Sequence, residues 1–376
     1  MNRCDTLHTV PTRRRRSAPE SEGVVKCPQR RWQMSIHWQE LFVAFSIGCA
    51  LAGCAGGSDT TVVKLAHGLD VTHPVHQAMV YMADLVAERS DGHMRIDIYP
   101  SEQLGSEREC VELIQIGSIA MTKVSAAVVE SFIPAFRVFN LPYVFADRDH
   151  MFQVLEGTIG RELLLQGESS KLRGLCYFDA GSRSFYTRER PVLSPSDLEG
   201  LKIRTQESAT AMRMVRALGG SATPISWGEI YTALQQGVVD GAENNPPSFH
   251  LSRHYEVCRY YSLDEHTFVP DVLMIGTASW NRLAPEEQEI LQRSALDAAE
   301  HQKVIWQEAS DEALAAVAEA GVEILHPDKG PFAEAVAPLI EEYRSEPEVY
   351  RWIERIRALG KEMGAAPGGD AEGDLQ

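Results

Sequence analysis

The alternation of apolar and polar positions predicts a βαβ unit near the start of the globular part of the chain. Residues 61–66 (TVVKLA) are β-branched and mostly apolar, which is typical of a buried strand. Between residues 75 and 89 apolar side chains recur at helical spacing, and residues 94–99 alternate as in a strand. A strand, a helix and a strand in this order favour a parallel pair joined by a helical crossover.

Strand-like alternation and helical spacing continue to about residue 360, and the predicted elements fall into two successive sets. A capping-box pattern, Ser106 with Glu109, predicts the start of a helix that ends at Ile116. Further strands are predicted over residues 121–125, 172–178, 183–187, 201–205, 238–242 and 268–276. Further helices are predicted over residues 148–158, 160–166, 208–218, 226–236, 286–320 (in one piece or two), 331–345 and 349–359.

This order of elements predicts an α/β protein with two lobes, a ligand cleft between the lobes, and long C-terminal helices. The two sets join near residues 180 and 270. Lobe I is therefore expected to comprise residues 61–181 and 270–309, and lobe II residues 182–269 and 310–360. Residues 361–376 are rich in glycine and alanine and are expected to form a frayed tail.

Residues 1–53 are predicted to be a leader. Residues 41–53 carry no charge and would span about 20 Å as a helix, too short to cross a membrane but suitable for a secretory signal. They run into residues 51–54 (LAGC), which resemble the lipobox of bacterial lipoproteins and imply that Cys54 is lipidated. A buried helix with a chance cysteine is the alternative. Residues 54–60 would then form a linker, and Met34 is an alternative start.

Charge and cysteine content exclude several classes of protein. The formal net charge is −17, whereas nucleic-acid binders show a basic face, so nucleic-acid binding is not expected. Beyond the leader and Cys54 the cysteines are three and widely spaced, which favours unpaired thiols over a disulfide framework or a metal site. They are Cys110, Cys176 and Cys258. His73 and His76 are three residues apart, but no third ligand follows at a recognised spacing, so we expect no metal.

Basic residues at strand ends are better candidates for chemistry than any enzyme motif. The sequence has no nucleophile elbow, phosphate-binding glycine loop or dinucleotide fingerprint. Arg204 lies in LKIRT, and an arginine buried in an apolar strand is costly unless it is paired. It either forms a structural ion pair or holds a ligand carboxylate with its planar fork. Arg183 is open to the same two interpretations, and Asn244 and Asn245 are either amide donors or turn residues.

Six segments resemble the periplasmic solute receptors of tripartite ATP-independent periplasmic (TRAP) transporters, the DctP-like binding proteins. They fall in order across most of residues 61–360. The segments are YPSEQLGSERE (99–109), LPYVF (141–145), GSRSFYT (181–187), DLEGLKIRTQ (197–206), PISWGEIYTALQQGVVDGAEN (224–244) and HYEVCRYYSL (254–263). The resemblance implies a two-lobed receptor with a periplasmic binding protein-like fold that closes on an organic acid and delivers it to a membrane permease.

The resemblance also assigns roles to individual residues. It implies that Arg204 pairs with the ligand carboxylate, that Asn244 contacts the ligand, and that Arg183 lies in the pocket. Trp227 is expected to line the cleft with a larger ring than is usual in the family, although a plain core role is the alternative. The remaining ligand-binding residues expected are Glu107, Lys123, Ser125, His67 and Asn245. For Lys123 a solvated surface position is the alternative.

The expected ligand is a monocarboxylic sugar acid, best guessed as D-glucuronate or D-galacturonate, because three segments resemble the uronate-binding branch of the family. A C4-dicarboxylate, a sialic acid or an aldonic acid are alternative ligands, and a lipid-anchored enzyme acting on acidic sugars is an alternative function. We expect a non-enzymatic, cofactor-free, periplasmic monomer, held by a lipid anchor, whose partners are TRAP permease subunits. A membrane sensor is the alternative partner.

Overall fold

The computed structural model describes residues 60–364, and its strands form two separate sheets. The strands are β1 Thr61–Ala66, β2 Met94–Tyr99, β3 Met121–Ser125, β4 Leu172–Phe178, β5 Ser182–Thr187, β6 Lys202–Thr205, β7 Ser221–Pro224, β8 Gly241–Asn244, β9 Tyr260–Phe268, β10 Asp271–Gly276 and β11 Glu323–Leu325. The first sheet has the order β2-β1-β3-β10-β4 and the second β11-β9-β5-β8-β6-β7. We call each sheet with its packed helices the first half and the second half.

Helices cover both sheets. They are α1 Pro74–Arg89, α2 Glu107–Gln115, α3 Ala126–Val129, α4 Arg148–Glu156, α5 Thr158–Leu164, α6 Ala209–Ala217, α7 Ile230–Gln235, α8 Pro246–Leu251, α9 Thr277–Trp280, α10 Pro285–Glu319, α11 Gly330–Glu342 and α12 Pro347–Glu362. The predicted βαβ unit is confirmed, since β1 runs parallel to β2 with Thr61 opposite Met94. The apolar stripe of α1, which includes Met79, Met82 and Val86, is fully buried.

Two of the connections between the halves are short and lie next to each other. β4 of the first sheet ends at Phe178 and β5 of the second begins at Ser182. β9 of the second sheet ends at Phe268 and β10 of the first begins at Asp271. The two connections lie side by side, because Ser182 pairs with Phe268 and Asp271 pairs with Phe178. They also lie where the sequence predicts that the two sets join.

A third connection, the 35-residue helix α10, packs on α1 and β4 in the first half and on α8 in the second. At its middle, Gln302 accepts from the Asp179 N–H and donates to the Asp179 carbonyl, both at 2.8 Å. Trp306 lies against Gly181, whose φ of +58° favours glycine and whose Cβ would come within 3.2 Å of the indole. These contacts attach α10 to the connection between β4 and β5. Neither α10 nor another helix among residues 60–364 is long and apolar enough to cross a bilayer.

Some elements differ from the sequence-based expectation. The segment 286–320 forms one helix, and the strand expected from residue 238 begins only at Gly241, since Val238 is half exposed at the surface. Strand β9 was not predicted, because the acidic and basic side chains of Asp264 and His266 interrupt its apolar pattern. Both side chains are fully buried and bonded to each other at 2.8 Å, which makes them compatible with a core strand.

The last helix, α12, packs against residues 134–140 and α4. Its buried face includes Trp352, Ile353 and Ile356, which share one apolar cluster with side chains of residues 134–140. The expected boundaries assign residues 310–360 to lobe II and residues 134–156 to lobe I. In the structure α12, which was assigned to lobe II, packs on residues that were assigned to lobe I. An apolar helix face buries itself on the nearest apolar surface, and periodicity alone does not indicate which surface that is.

Candidate ligand-binding site

A cavity lies between the two sheets and is lined by strand ends from both halves. The structure brings eight of the nine predicted ligand-binding residues to it. They are Arg204, Arg183, Asn244, Glu107, Trp227, Lys123, Ser125 and Asn245. Polar side chains that the sequence analysis did not assign to a ligand site complete the lining: His73, Gln206, Glu207, Ser226, Ser248 and Asp271.

Arg204 is the cation of this cavity without a carboxylate partner among residues 60–364. It lies in β6, opposite Thr223 of β7 and Ala242 of β8, and only 3% of its surface is exposed. Its Nε donates to the Ile225 carbonyl at 2.9 Å, whereas Nη1 is buried and bonds to no atom of the described chain. Burial lowers the pKa of Arg204 to about 10, which leaves the group charged at neutral pH. A buried charge of this kind is stabilised by an anion.

Arg183, two strands away in β5, is neutralised within the protein. Its Nε donates to the Glu243 carboxylate, its Nη2 to the Glu243 carbonyl at 2.7 Å, and its Nη1 to Asn244 Oδ1 at 2.8 Å. Burial raises the pKa of Glu243, but Arg183 and His266 outweigh this effect and bring it to about 2. Three of the five guanidinium N–H groups are therefore used. Arg183 lines the cavity with a compensated charge.

Lys123 of β3 lies between two carboxylates of the first half. Its Nζ is 2.8 Å from Glu107 Oε1 and 3.2 Å from Asp271 Oδ2. Glu107 Oε1 also accepts from the Ser125 N–H at 3.3 Å. Burial lowers the pKa of Lys123, but the two carboxylates outweigh burial and raise it. Since only 2% of Lys123 is exposed, its interpretation as a surface residue is wrong, and this cluster sets one ammonium group against two carboxyl groups.

Asn244 and Asn245 present amide donors to the cavity. Asn244 ends β8, and its Oδ1 accepts from Arg183 and from the Asn245 N–H at 2.9 Å. Asn245 is the N-cap of α8, and its Oδ1 accepts from the Ser248 N–H at 2.9 Å. Because both side-chain oxygens are already bonded, the Nδ2 groups are the parts of these amides that remain for a ligand.

Trp227 belongs to the second half but packs on the apolar clusters of both halves. Its ring centroid is 5.9 Å from that of His254, in its own half. On the other side the ring meets Gly68 of the first half, where an added Cβ would lie 3.5 Å from the indole Cδ1. The indole therefore bridges the halves and lines the cavity.

His67 is the predicted residue that the structure does not bring to the cavity. Its Nε2 is 3.0 Å from His76 Nδ1, and its Nδ1 accepts from the Leu69 N–H at 3.1 Å. Both ring nitrogens are thus used inside the first half. His73 lines the cavity instead, with its Nε2 3.4 Å from Ser248 Oγ in the second half. Residues 60–364 contain no group of three or more histidine, cysteine or acidic side chains placed to hold a metal.

Asp271 is the most informative residue that sequence reasoning missed. It opens β10, a strand buried along its whole length, and lies opposite Ser125 in antiparallel register. An acidic residue at the start of such an apolar strand is a signal for a buried polar contact. The partner, Lys123, is distant in sequence, and the sequence alone does not indicate this pairing.

Together these residues form a site for an anion that also carries hydroxyl groups. Arg204 supplies one uncompensated positive charge, and the fork of a guanidinium fits a carboxylate in two places. The carboxylates of Glu107 and Asp271 are acceptors, and the amides of Asn244 and Asn245 are donors. The indole offers apolar area for a ring. Binding and orientation are what this set of groups can achieve.

Two α/β halves that enclose such a cavity define a two-lobed solute-binding protein. The chain belongs to the DctP family, described as bacterial extracellular solute-binding protein, family 7, whose sequence profile matches residues 65–346. This membership confirms the family predicted from the sequence, and with it the two-lobed α/β fold.

Solved TRAP periplasmic solute-binding proteins superpose on most of the chain. One from Anaerococcus prevotii, with bound D-glucuronate, is 37% identical with a TM-score of 0.79, over 81% of this chain and 99% of that one. One from Xanthobacter autotrophicus, with bound β-D-galacturonate, is 35% identical with a TM-score of 0.77, over 79% and 99% of the two chains. An uncharacterized protein of Salmonella typhimurium, YiiZ, is 38% identical over 79% of this chain and 91% of its own length.

Because the family consists of solute-binding proteins, it favours a receptor over an enzyme. Its description as extracellular agrees with the expected location outside the cytoplasm. The predictions on residues 1–59, which concern the leader, the start at Met34, the linker and the lipid on Cys54, lie outside the described residues. Most of the predicted tail, residues 365–376, also lies outside them.

Proposed function

We propose that this protein is a TRAP-type receptor that binds a monocarboxylic sugar acid, D-glucuronate or D-galacturonate, and delivers it to a membrane permease. The observation that carries the proposal is the buried guanidinium of Arg204, which faces the cavity without a carboxylate partner in the described chain. A ligand carboxylate supplies the missing countercharge. The uronates bound to two relatives at 37% and 35% identity support the choice of ligand.

The charges around the cavity favour one carboxylate over two. Arg183 is compensated by Glu243, and Lys123 faces both Glu107 and Asp271. Arg204 is thus the one cation of the three left for the ligand. A second ligand carboxylate would meet already paired cations and lose its hydration without a new countercharge. This balance supports a monocarboxylate and argues against a C4-dicarboxylate.

The neutral part of the ligand is expected to contact the remaining polar groups. Sugar hydroxyls donate to Glu107 and Asp271 and accept from the amides of Asn244 and Asn245. The indole of Trp227 packs on the apolar face of the pyranose ring. Since these groups come from both halves, a ligand that bridges them favours the closed arrangement over an open one.

The test is calorimetry of D-glucuronate and D-galacturonate with wild type, Arg204→Met and Arg216→Ala. Arg204→Met is expected to weaken binding by at least about a hundredfold, because a buried charge-assisted contact contributes about 3 kcal/mol or more. Arg216 is exposed on α6 in the same half, and its replacement is the control that leaves affinity unchanged.

The stability of Arg204→Met separates ligand binding from a structural role. If Arg204 is kept for a ligand, methionine removes an uncompensated buried charge, so the melting temperature without ligand does not fall. A lower melting temperature together with near wild-type affinity would show that Arg204 stabilises the fold and would contradict the proposed site.

We further propose that Cys54 carries a lipid that holds the receptor at a bacterial membrane. The support is the uncharged segment 41–53 and its LAGC ending. In cells fed an alkyne-labelled palmitate, the wild-type chain is expected to be labelled and membrane-bound, whereas Cys54→Ala is unlabelled. Recovery of unlabelled wild type in the soluble periplasmic fraction would contradict the anchor and leave the proposed ligand untouched.

A further inference from the structure

A contact outside the cavity joins the two halves at its edge. Glu102 lies in the loop after β2 in the first half, and Gly228 follows Trp227 in the second. The Gly228 N–H donates to Glu102 Oε1 at 3.2 Å across a separation of 126 residues. Neither residue lines the cavity, whereas the adjacent Trp227 does.

Two glycines give the contact its close fit. A Cβ on Gly68 would lie 3.3 Å from Glu102 Cγ and 3.5 Å from Trp227 Cδ1. A Cβ on Gly228 would lie only 2.3 Å from Glu102 Oε2. The Gly228 backbone is outside the left-handed region, so an alanine there fits the chain but displaces the carboxylate. The absence of a side chain at Gly68 therefore lets Glu102 and Trp227 lie next to the same backbone position, and its absence at Gly228 makes room for the Glu102 carboxylate.

The loop that carries Glu102 is held in an unfavourable backbone conformation. Ser101 and Glu102 have φ of +54° and +56°, which costs about 1 kcal/mol or more for each non-glycine residue. Two backbone bonds to the segment after β1 maintain it: the Ser101 N–H to the Leu69 carbonyl at 3.0 Å and the Glu102 N–H to the His67 carbonyl at 3.2 Å. These bonds place the carboxylate opposite Gly228.

We propose that Glu102, Gly68 and Gly228 form a clasp that holds Trp227 over the bound ligand and sets its dissociation rate. Opening the halves must break the Glu102–Gly228 bond and move the indole away from the first half, while a ligand entering the open form meets neither contact. The inference rests on the proposed function. It makes Glu102 a positioning residue that acts through Trp227.

The main test is stopped-flow tryptophan fluorescence with D-glucuronate. Glu102→Ala is expected to raise the dissociation rate about tenfold, the loss of one hydrogen bond to a charged acceptor, with the association rate within about twofold of wild type. Gly228→Ala is expected to give the same rise. Glu102→Gln keeps an acceptor oxygen, so its dissociation rate is expected to lie between those of the two alanine variants and that of wild type. Glu112→Gln, on the exposed side of α2, is the matched control and leaves both rates unchanged.

The double variant Glu102→Ala/Gly228→Ala tests whether the two positions act through one contact. Its dissociation rate is expected to match that of either single variant. A double variant that dissociates about a hundredfold faster than wild type, the product of the two single effects, would overturn the clasp. A Glu102→Ala dissociation rate within twofold of wild type would also overturn it. Melting temperatures of all variants identify any that are misfolded.

A ligand-independent measurement keeps the clasp and the proposed function separable. Hydrogen exchange of the Gly228 amide in the free protein is expected to be about tenfold faster in Glu102→Ala than in wild type. Equal rates would overturn the clasp. If wild type binds neither uronate while the exchange rates differ, the proposed ligand is wrong and the clasp stands.

Discussion

Arg204 and Arg183 lie two strands apart in one sheet, and their neighbours in the sheet account for their different states. Arg183 lies in β5, which pairs with β8 so that the carboxylate of Glu243 reaches it. Arg204 lies in β6, whose residues opposite it are Thr223 and Ala242, neither of them acidic. One arginine is therefore a supporting group and the other is available to an anion. The strand order decides this, and the order is not visible in the local sequence.

Removing the carboxylate of Glu243 is expected to change the ligand preference. In Glu243→Gln the charge of Arg183 is no longer compensated, so the cavity holds two available cations. We expect the affinity for D-glucarate, a dicarboxylate, to rise at least about tenfold relative to D-glucuronate. The free energy of unfolding is expected to fall by about 3 kcal/mol, because a buried charge loses its partner. Calorimetry and urea unfolding measure the two effects.

Glu199→Gln, at an exposed position of the same half, is the control for loss of one negative charge. It is expected to change neither the ligand preference nor the stability. If Glu243→Gln still prefers D-glucuronate to the wild-type extent, Arg183 is not what limits the site to one carboxylate.

The candidate site was predictable residue by residue only through family resemblance. Composition left Arg204 and Arg183 open between an ion pair and a ligand contact; Arg183 forms an ion pair with Glu243, and the contact of Arg204 with a ligand stays a prediction. His67 and His73 both follow β1, yet the turn before α1 directs only His73 to the cavity. Asp271 was missed because its contact with Lys123 depends on antiparallel pairing of distant strands.

At the scale of elements, the sequence was informative wherever a local side-chain contact or a regular spacing of apolar residues determines the structure. The capping box of Ser106 and Glu109 starts α2 as predicted, because its hydrogen bonds are local. Strand β9 was not predicted, because its two buried charged side chains, Asp264 and His266, form their hydrogen bond only in the folded chain. Burial lowers the pKa of His266, but Asp264 outweighs it and raises the pKa to about 9. The order of apolar and polar residues along one strand does not reveal this pairing.

At the scale of the whole molecule, three buried histidines make stability sensitive to acid. Burial lowers the pKa to about 2 for His67 and to about 3 for His73 and His254. Each folded pKa is below the unfolded value of about 6.5, so their contribution is complete above pH 6.5 and is lost as pH falls. We expect the free energy of unfolding to decrease as pH falls from 6.5 to 4, with at most about 1.4 kcal/mol per pH unit from each histidine. Urea unfolding at several pH values measures it.

A single substitution tests the origin of this slope. His254→Gln is expected to reduce the slope, whatever it costs at pH 7, because one of the groups that contribute to it no longer titrates. His301→Gln, at an exposed position of α10, is expected to leave the slope unchanged. Equal slopes in wild type and His254→Gln would assign the acid sensitivity to other groups.

The attachment of α10 to the connection between β4 and β5 is expected to restrict how the halves can move. Gln302 bonds to both backbone groups of Asp179, and Trp306 packs against Gly181, so we expect this point to stay fixed when the halves separate. Because the connection between β9 and β10 lies beside it, we expect the halves to rotate about this point rather than to slide. A membrane partner would then sense a single angle, and that angle would report whether the cavity is occupied.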